Sequence, residues 1–149
     1  MSTTSPAQLY ATLVGGVLVI AGIIGFFYDA SFATGDSLKS DEVFGLLAVN
    51  AWHNIVHILT GLLGLLAAGY AARTYALGLG LVYVVIAIWG FIVVDNGVGD
   101  LLNLIPINAE DNWLHLILGL TGLAAGAATP KVTATATTAP PESPPPAAA

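Results

Sequence analysis

The stretch "NAWHNIVHILTGLLGL" (residues 50–65) opens on polar side chains and then becomes wholly apolar. It sets two asparagines and two histidines just ahead of a run suited to lipid. A second segment repeats it. "VNAWHNIVHILTGLLGL" (49–65) aligns without gaps on "INAEDNWLHLILGLTGL" (107–123), every pair offset by 58. Asn50 falls on Asn108, Asn54 on Asn112, His57 on His115, Gly61 on Gly119 and Gly64 on Gly122. Positions 50, 54, 57, 61 and 64 advance by 4, 3, 4 and 3 residues. At helical pitch they stay within about 40° of one line, so each segment reads as a helix with a single stripe. The stripe is polar at its start and carries glycine deeper in, where small residues let membrane helices approach closely. Asn50 and Asn108 stand where N-caps are wanted.

Composition names the solvent. Of 149 residues, 56% are hydrophobic and only 8% charged. Soluble domains carry about 25% charged residues, and fewer charges cannot cover a water-facing surface. Runs without a formal charge cover residues 9–28 and 75–94, and two shorter apolar runs, 55–72 and 113–128, contain one histidine each. A span needs about 20 apolar residues to cross about 30 Å of hydrocarbon. Four transmembrane helices are predicted, the last extended into the polar residues from Ala109. The first run lacks a basic flank and exceeds the length of a signal-peptide core, so it reads as an uncleaved helix. The fold class is therefore an all-α polytopic membrane protein built as two repeated helical hairpins. Residues 1–8 form a short polar N-terminus, and residues 9–128 the transmembrane domain, with repeat one about 9–72 and repeat two about 73–128. Two copies with two crossings each share an orientation, related by an axis along the membrane normal.

The connections set the orientation. The segment 29–49 holds Asp29, Asp36, Asp41 and Glu42 against Lys39, and the segment 95–108 holds Asp95 and Asp100. Both read as loops on one side. Arg73, Lys131 and both termini lie on the other, and basic residues mark the cytoplasmic face. A multi-pass protein of the cell membrane with both termini cytoplasmic is predicted. The short connection "ARTY" makes the second and third helices antiparallel neighbours. The Ala/Thr/Pro-rich segment 129–149 cannot bury a core and reads as a disordered tail. A net charge of −6 with three basic residues argues against nucleic acid. The absence of cysteine excludes disulfides, thiolate catalysis and iron–sulfur clusters.

The paired N-x-x-H segments, each with glycine four residues after the histidine, resemble a family of small bacterial and archaeal membrane proteins known as domain of unknown function 4383. The likeness lies in "NAWHNIVHILTGLLGL", the short turn after it, and "LIPINAEDNWLHLILGL", and covers roughly residues 8 to 128. It implies four membrane helices and no activity.

Three readings attach to the polar stripe. In the first, Asn50, Asn54, His57, Asn108, Asn112 and His115 form a structural polar cluster. Gly61, Gly64, Gly119 and Gly122 then serve helix packing, and the protein is a small structural or accessory bundle with a homo-oligomeric or membrane-protein partner. In the second, His53 and His57 share a helix face, as do their equivalents Asp111 and His115. If the faces meet, three imidazoles and a carboxylate suit zinc or another divalent metal. In the third, His57 and His115 lie at equal depth as axial ligands of a haem. A small transporter subunit is a further alternative, although the polar groups gather at one surface with no relay to the other. No nucleophile–base arrangement is legible, so no enzyme is predicted.

Overall fold

The computed structural model describes residues 4–131. Among the described residues the fold is mostly helical, with four α-helices and two short β-ribbons. The helices are α1 (Pro6–Gly25), α2 (Ala51–Ala67), α3 (Ala72–Val93) and α4 (Ala109–Ala128). Each start except that of α3 is capped by a side chain. Ser5 caps α1, with Pro6 at its first position and Gln8 closing the box. The Asn50 side chain accepts from the His53 N–H at 2.9 Å to cap α2. The Asn108 side chain accepts from the Asp111 N–H at 2.9 Å to cap α4, and Asp111 Oδ2 returns the bond to Asn108 N–H at 3.1 Å. The asparagines thus satisfy first-turn donors that have no partner within the helix.

The two acidic connections are not plain loops. Each folds into an antiparallel ribbon: β1 (Asp41–Val43) pairs with β2 (Leu47–Val49), and β3 (Val98–Leu101) with β4 (Ile105–Asn108). The purely helical class expected from periodicity is corrected to this extent. In both turns two successive residues take positive φ: Phe44 at 56° and Gly45 at 68°, Leu102 at 61° and Asn103 at 55°. In each three-residue connection these two are the central pair of a turn closed by Leu46 N–H on the Val43 carbonyl or Leu104 N–H on the Leu101 carbonyl, and positive φ at both matches the twist of the strands. β2 runs directly into α2 and β4 into α4, so each ribbon fixes where the following helix begins.

Helices pack within repeats before they pack between them. α1 lies along α2, and α3 along α4, over most of their lengths. The backbones nearly touch at matched glycines. A Cβ on Gly61 would stand 2.6 Å from the Gly15 carbonyl oxygen, and one on Gly119 2.9 Å from that of Gly80. α2 and α3, expected as antiparallel neighbours, do meet, but narrowly. The Tyr75 hydroxyl donates to the Thr60 carbonyl at 3.0 Å and its ring covers Gly64. The mirror contact joins α1 to α4, where the Tyr10 hydroxyl donates to the Leu118 carbonyl at 2.9 Å and its ring covers Gly122. Tyr10 and Tyr75, like Gly15 and Gly80, or Gly25 and Gly90, are 65 residues apart. The duplication therefore extends through the first and third helices.

The interior is made chiefly of small and aromatic residues, Ala7, Ala11, Ala72 and Ala76 with Tyr10 and Tyr83, together with Leu18 and Leu79. Most other large aliphatic side chains point outward. Leu13, Val17 and Ile20 on α1 are each 59% exposed, and Ile92 on α3 is 77% exposed. Among the described residues, α1 and α3 are long and apolar enough to cross a membrane. α2 is apolar but has 17 residues, and α4 opens on Glu110, Asp111 and Asn112. The expected tail lies outside the described residues apart from Thr129–Lys131, where the Thr129 hydroxyl accepts from the Ala7 N–H at 2.9 Å and the Thr129 carbonyl from Arg73 Nε at 3.0 Å.

Candidate metal centre at the ribbon end

The two repeats are locked together at the ribbon end by reciprocal contacts. Asn50 Nδ2 donates to the Leu104 carbonyl at 2.8 Å, and Asn108 Nδ2 donates to the Leu46 carbonyl at 2.7 Å. Each helix cap thus grips the ribbon turn of the other repeat. One contact departs from symmetry. Asp111 Oδ2 accepts from the Ala48 N–H at 3.0 Å. Proline stands at the equivalent position 106 and has no N–H to offer. The residue matching Asp111 is His53, which can donate where the carboxylate can only accept. Its Nδ1 lies 2.8 Å from the Ala48 carbonyl oxygen. A carbonyl only accepts, so Nδ1 carries the proton and Nε2 keeps its lone pair.

His53, His57 and His115 offer ligand atoms that all lie within 4.8 Å of one another. The His53 and His57 rings meet edge-on at 4.4 Å between centroids, and His115 lies 6.2 Å from His53 and 6.4 Å from His57. Tyr83 stacks on the far face of this group, 4.9 Å from the His115 ring. His53 and His115 are buried, and His115 Nδ1 has no hydrogen-bond partner. Burying a polar atom unpaired costs about 1–3 kcal/mol.

Of the four residues predicted to converge, the three histidines do so. Asp111 is drawn aside: its Oδ2 serves two backbone N–H groups, while its side chain borders the same cavity as His57 and His115. Asn54 and Asn112 are fully buried on the stripe, as expected, and their side chains cover Gly25 and Gly90, where a Cβ would collide with each amide oxygen. Asn54 Nδ2 donates to the Asp29 carbonyl at 2.9 Å. Tyr83 and the ribbon residues Ala48, Leu46 and Leu104 escaped sequence reasoning. The 65-residue offset between Leu18 and Tyr83 was the available signal, since it sets a polar ring against an aliphatic one at matched positions. A haem held between His57 and His115 would also have to accommodate the His53 ring, whose ligand atom lies within 4.8 Å of both of theirs.

The fold and site define a class: a duplicated four-helix chain with small residues inside, aliphatic residues outside, and an imidazole cluster where the repeats meet. The chain belongs to the family described as Domain of unknown function (DUF4383), whose model matches residues 8–128. No curated protein and no solved structure matches it.

Proposed function

We propose that this chain is a four-span integral membrane protein that binds a divalent metal ion, zinc by ligand type, at His53, His57 and His115. The membrane placement is supported by the outward aliphatic side chains of all four helices and by formal charges that keep to the two ends. Arg73 and Lys131 lie at the end with the termini, which makes that end cytoplasmic.

One observation carries the metal reading: three imidazole ligand atoms from two different repeats within 4.8 Å of one another. Zinc bonds imidazole nitrogen at about 2.0–2.1 Å, which places tetrahedral nitrogens about 3.3 Å apart. Small side-chain rotations close that gap. His53 Nδ1 donates to a backbone carbonyl, the supporting contact such ligands use when they bind through Nε2. Three protein ligands leave a fourth position for water or the nearby Asp111 carboxylate.

The test is metal content of the full chain, purified without a metal-affinity step and then exposed to Zn²⁺. About one zinc per chain is expected, and loss in His57→Ala/His115→Ala. Zinc below background in the wild type, or equal binding in the double variant, overturns the proposal.

The accessory-bundle reading has its own support in the reciprocal Asn50 and Asn108 contacts, which need no ligand to hold the repeats. Under it, partners are a second copy or another membrane protein, and chelators leave thermal stability unchanged. Under the metal reading, chelation lowers it.

A further inference from the structure

Beside the histidines lies a cavity of about 300 Å³ between α1, α4 and the first ribbon. Its walls are apolar: Val17 and Ala21 from α1, Phe44 and Leu47 from the ribbon, Leu114 from α4. Val17 is 59% and Phe44 73% exposed, so the mouth opens between the aliphatic outer face of α1 and the tip of the first ribbon. The inner end is polar, bordered by His57, His115, Tyr83 and Asp111. Tyr83 is the neutral donor among these lining residues, and its buried hydroxyl has no hydrogen-bond partner among the described residues.

Duplication alone does not account for this space. At the mirror position, Ile86 replaces Ala21, Trp89 replaces Ile24 and Leu18 replaces Tyr83, each 65 residues apart. The second repeat thus carries bulk where the first leaves room, and an aliphatic group where the cavity has a hydroxyl. No lysine or arginine lines the cavity, and one carboxylate does, which disfavours an anion. Access through aliphatic walls disfavours ions of either sign.

We propose that this cavity binds an uncharged, lipid-soluble molecule that enters between α1 and α4 and accepts a hydrogen bond from Tyr83 through a carbonyl oxygen. The proposal rests on the membrane placement above and not on the metal. At about 30 Å³ per heavy atom of liquid, the space holds roughly ten non-hydrogen atoms. That is a medium-chain ketone or a small ring with a short tail. Tyr83 fixes the polar end, and the apolar walls exclude water from it.

The experiment uses the full chain in membranes, first washed in alkaline carbonate and then labelled with a diazirine derivative of 2-decanone. Recovery of the chain in the membrane pellet tests placement separately. Expected labelling falls on α1 and the first ribbon and survives chelation. Unlabelled 2-decanone competes with it, and decanoate competes at least tenfold less well. Tyr83→Phe weakens competition by about tenfold. Ala21→Trp, or the milder Ala21→Ile that copies the other repeat, removes site labelling, while Ile88→Trp on the outer face of α3 does not. Labelling spread evenly over all four helices, or unchanged in both the Tyr83 and Ala21 variants, means only bulk lipid filling a surface hollow and overturns the proposal.

Discussion

At the scale of single residues, the asparagines do more than cap. Asn50 uses its oxygen on the His53 N–H and its nitrogen on the Leu104 carbonyl, so one side chain starts a helix and ties it to the other repeat. The two roles separate by substitution. Asn50→Ser keeps a cap acceptor and loses the cross-repeat donor. Asn50→Ala loses both, at about 1 kcal/mol for the cap and about 1–3 kcal/mol for a carbonyl left without its donor. Denaturant titration of the detergent-solubilised chain is expected to rank wild type above Asn50→Ser above Asn50→Ala, with the Ala variant down by about 2–4 kcal/mol. The same order is expected at Asn108, whose Nδ2 binds the Leu46 carbonyl. Equal losses for Ser and Ala would mean that the cap contributes nothing and the cross-repeat bond everything.

At the scale of elements, helix pairing rests on how closely backbones approach. A Cβ on Gly61 would meet the Gly15 carbonyl at 2.6 Å and the Val19 N at 2.8 Å, and backbone atoms cannot step aside. Gly61→Ala is expected to cost about 1–3 kcal/mol through overpacking, and Gly119→Ala to match it. Gly78 meets nothing within 4 Å. There the exchange to alanine gains up to about 1 kcal/mol of helix propensity. Thermal melts of the three variants check the contrast, and a destabilised Gly78→Ala with an unaffected Gly61→Ala would contradict this account. Gly61 and Gly119 were legible in the sequence because a 58-residue offset repeats them on one helical stripe. The caps were legible from Asn50 and Asn108 for the same reason. The ribbons were not. Their strands are three or four residues long, too short for alternation to register, and their turns place Phe44 and Leu102 at positive φ where asparagine or glycine is the usual signal. Asp111 was misplaced for a related cause: its partner is the backbone N–H of Ala48, and no side-chain pattern advertises a backbone donor. His53 was grouped correctly with His57 by spacing, but only the ribbon explains why its ring turns inward, since Nδ1 is held by the Ala48 carbonyl.

At the scale of the whole molecule, the two repeats are joined by exchange, each holding the other's ribbon turn at one end and the other's glycine face through Tyr10 and Tyr75 in the middle. Such an arrangement works only if both repeats run in the same direction, with both ribbons on one side and the 68–71 turn on the other. The proposed membrane topology follows from this, and because the chain contains no cysteine, single introduced cysteines report it without background. Ser37 precedes the first ribbon and Glu110 opens α4; both are exposed at the ribbon end. Tyr70 in the turn between α2 and α3 is 86% exposed. In intact cells, a membrane-impermeant maleimide is expected to label Ser37→Cys and Glu110→Cys, and to reach Tyr70→Cys only after permeabilisation. The reverse pattern would keep the four spans and invert the orientation, moving the imidazole cluster to the cytoplasmic side, where the metal supply differs. Labelling of all three from outside would remove the spans themselves. The aliphatic faces of α1 to α4 would then need a protein cover instead of lipid, and a ligand reaching the cavity beside Tyr83 would have to come through that cover.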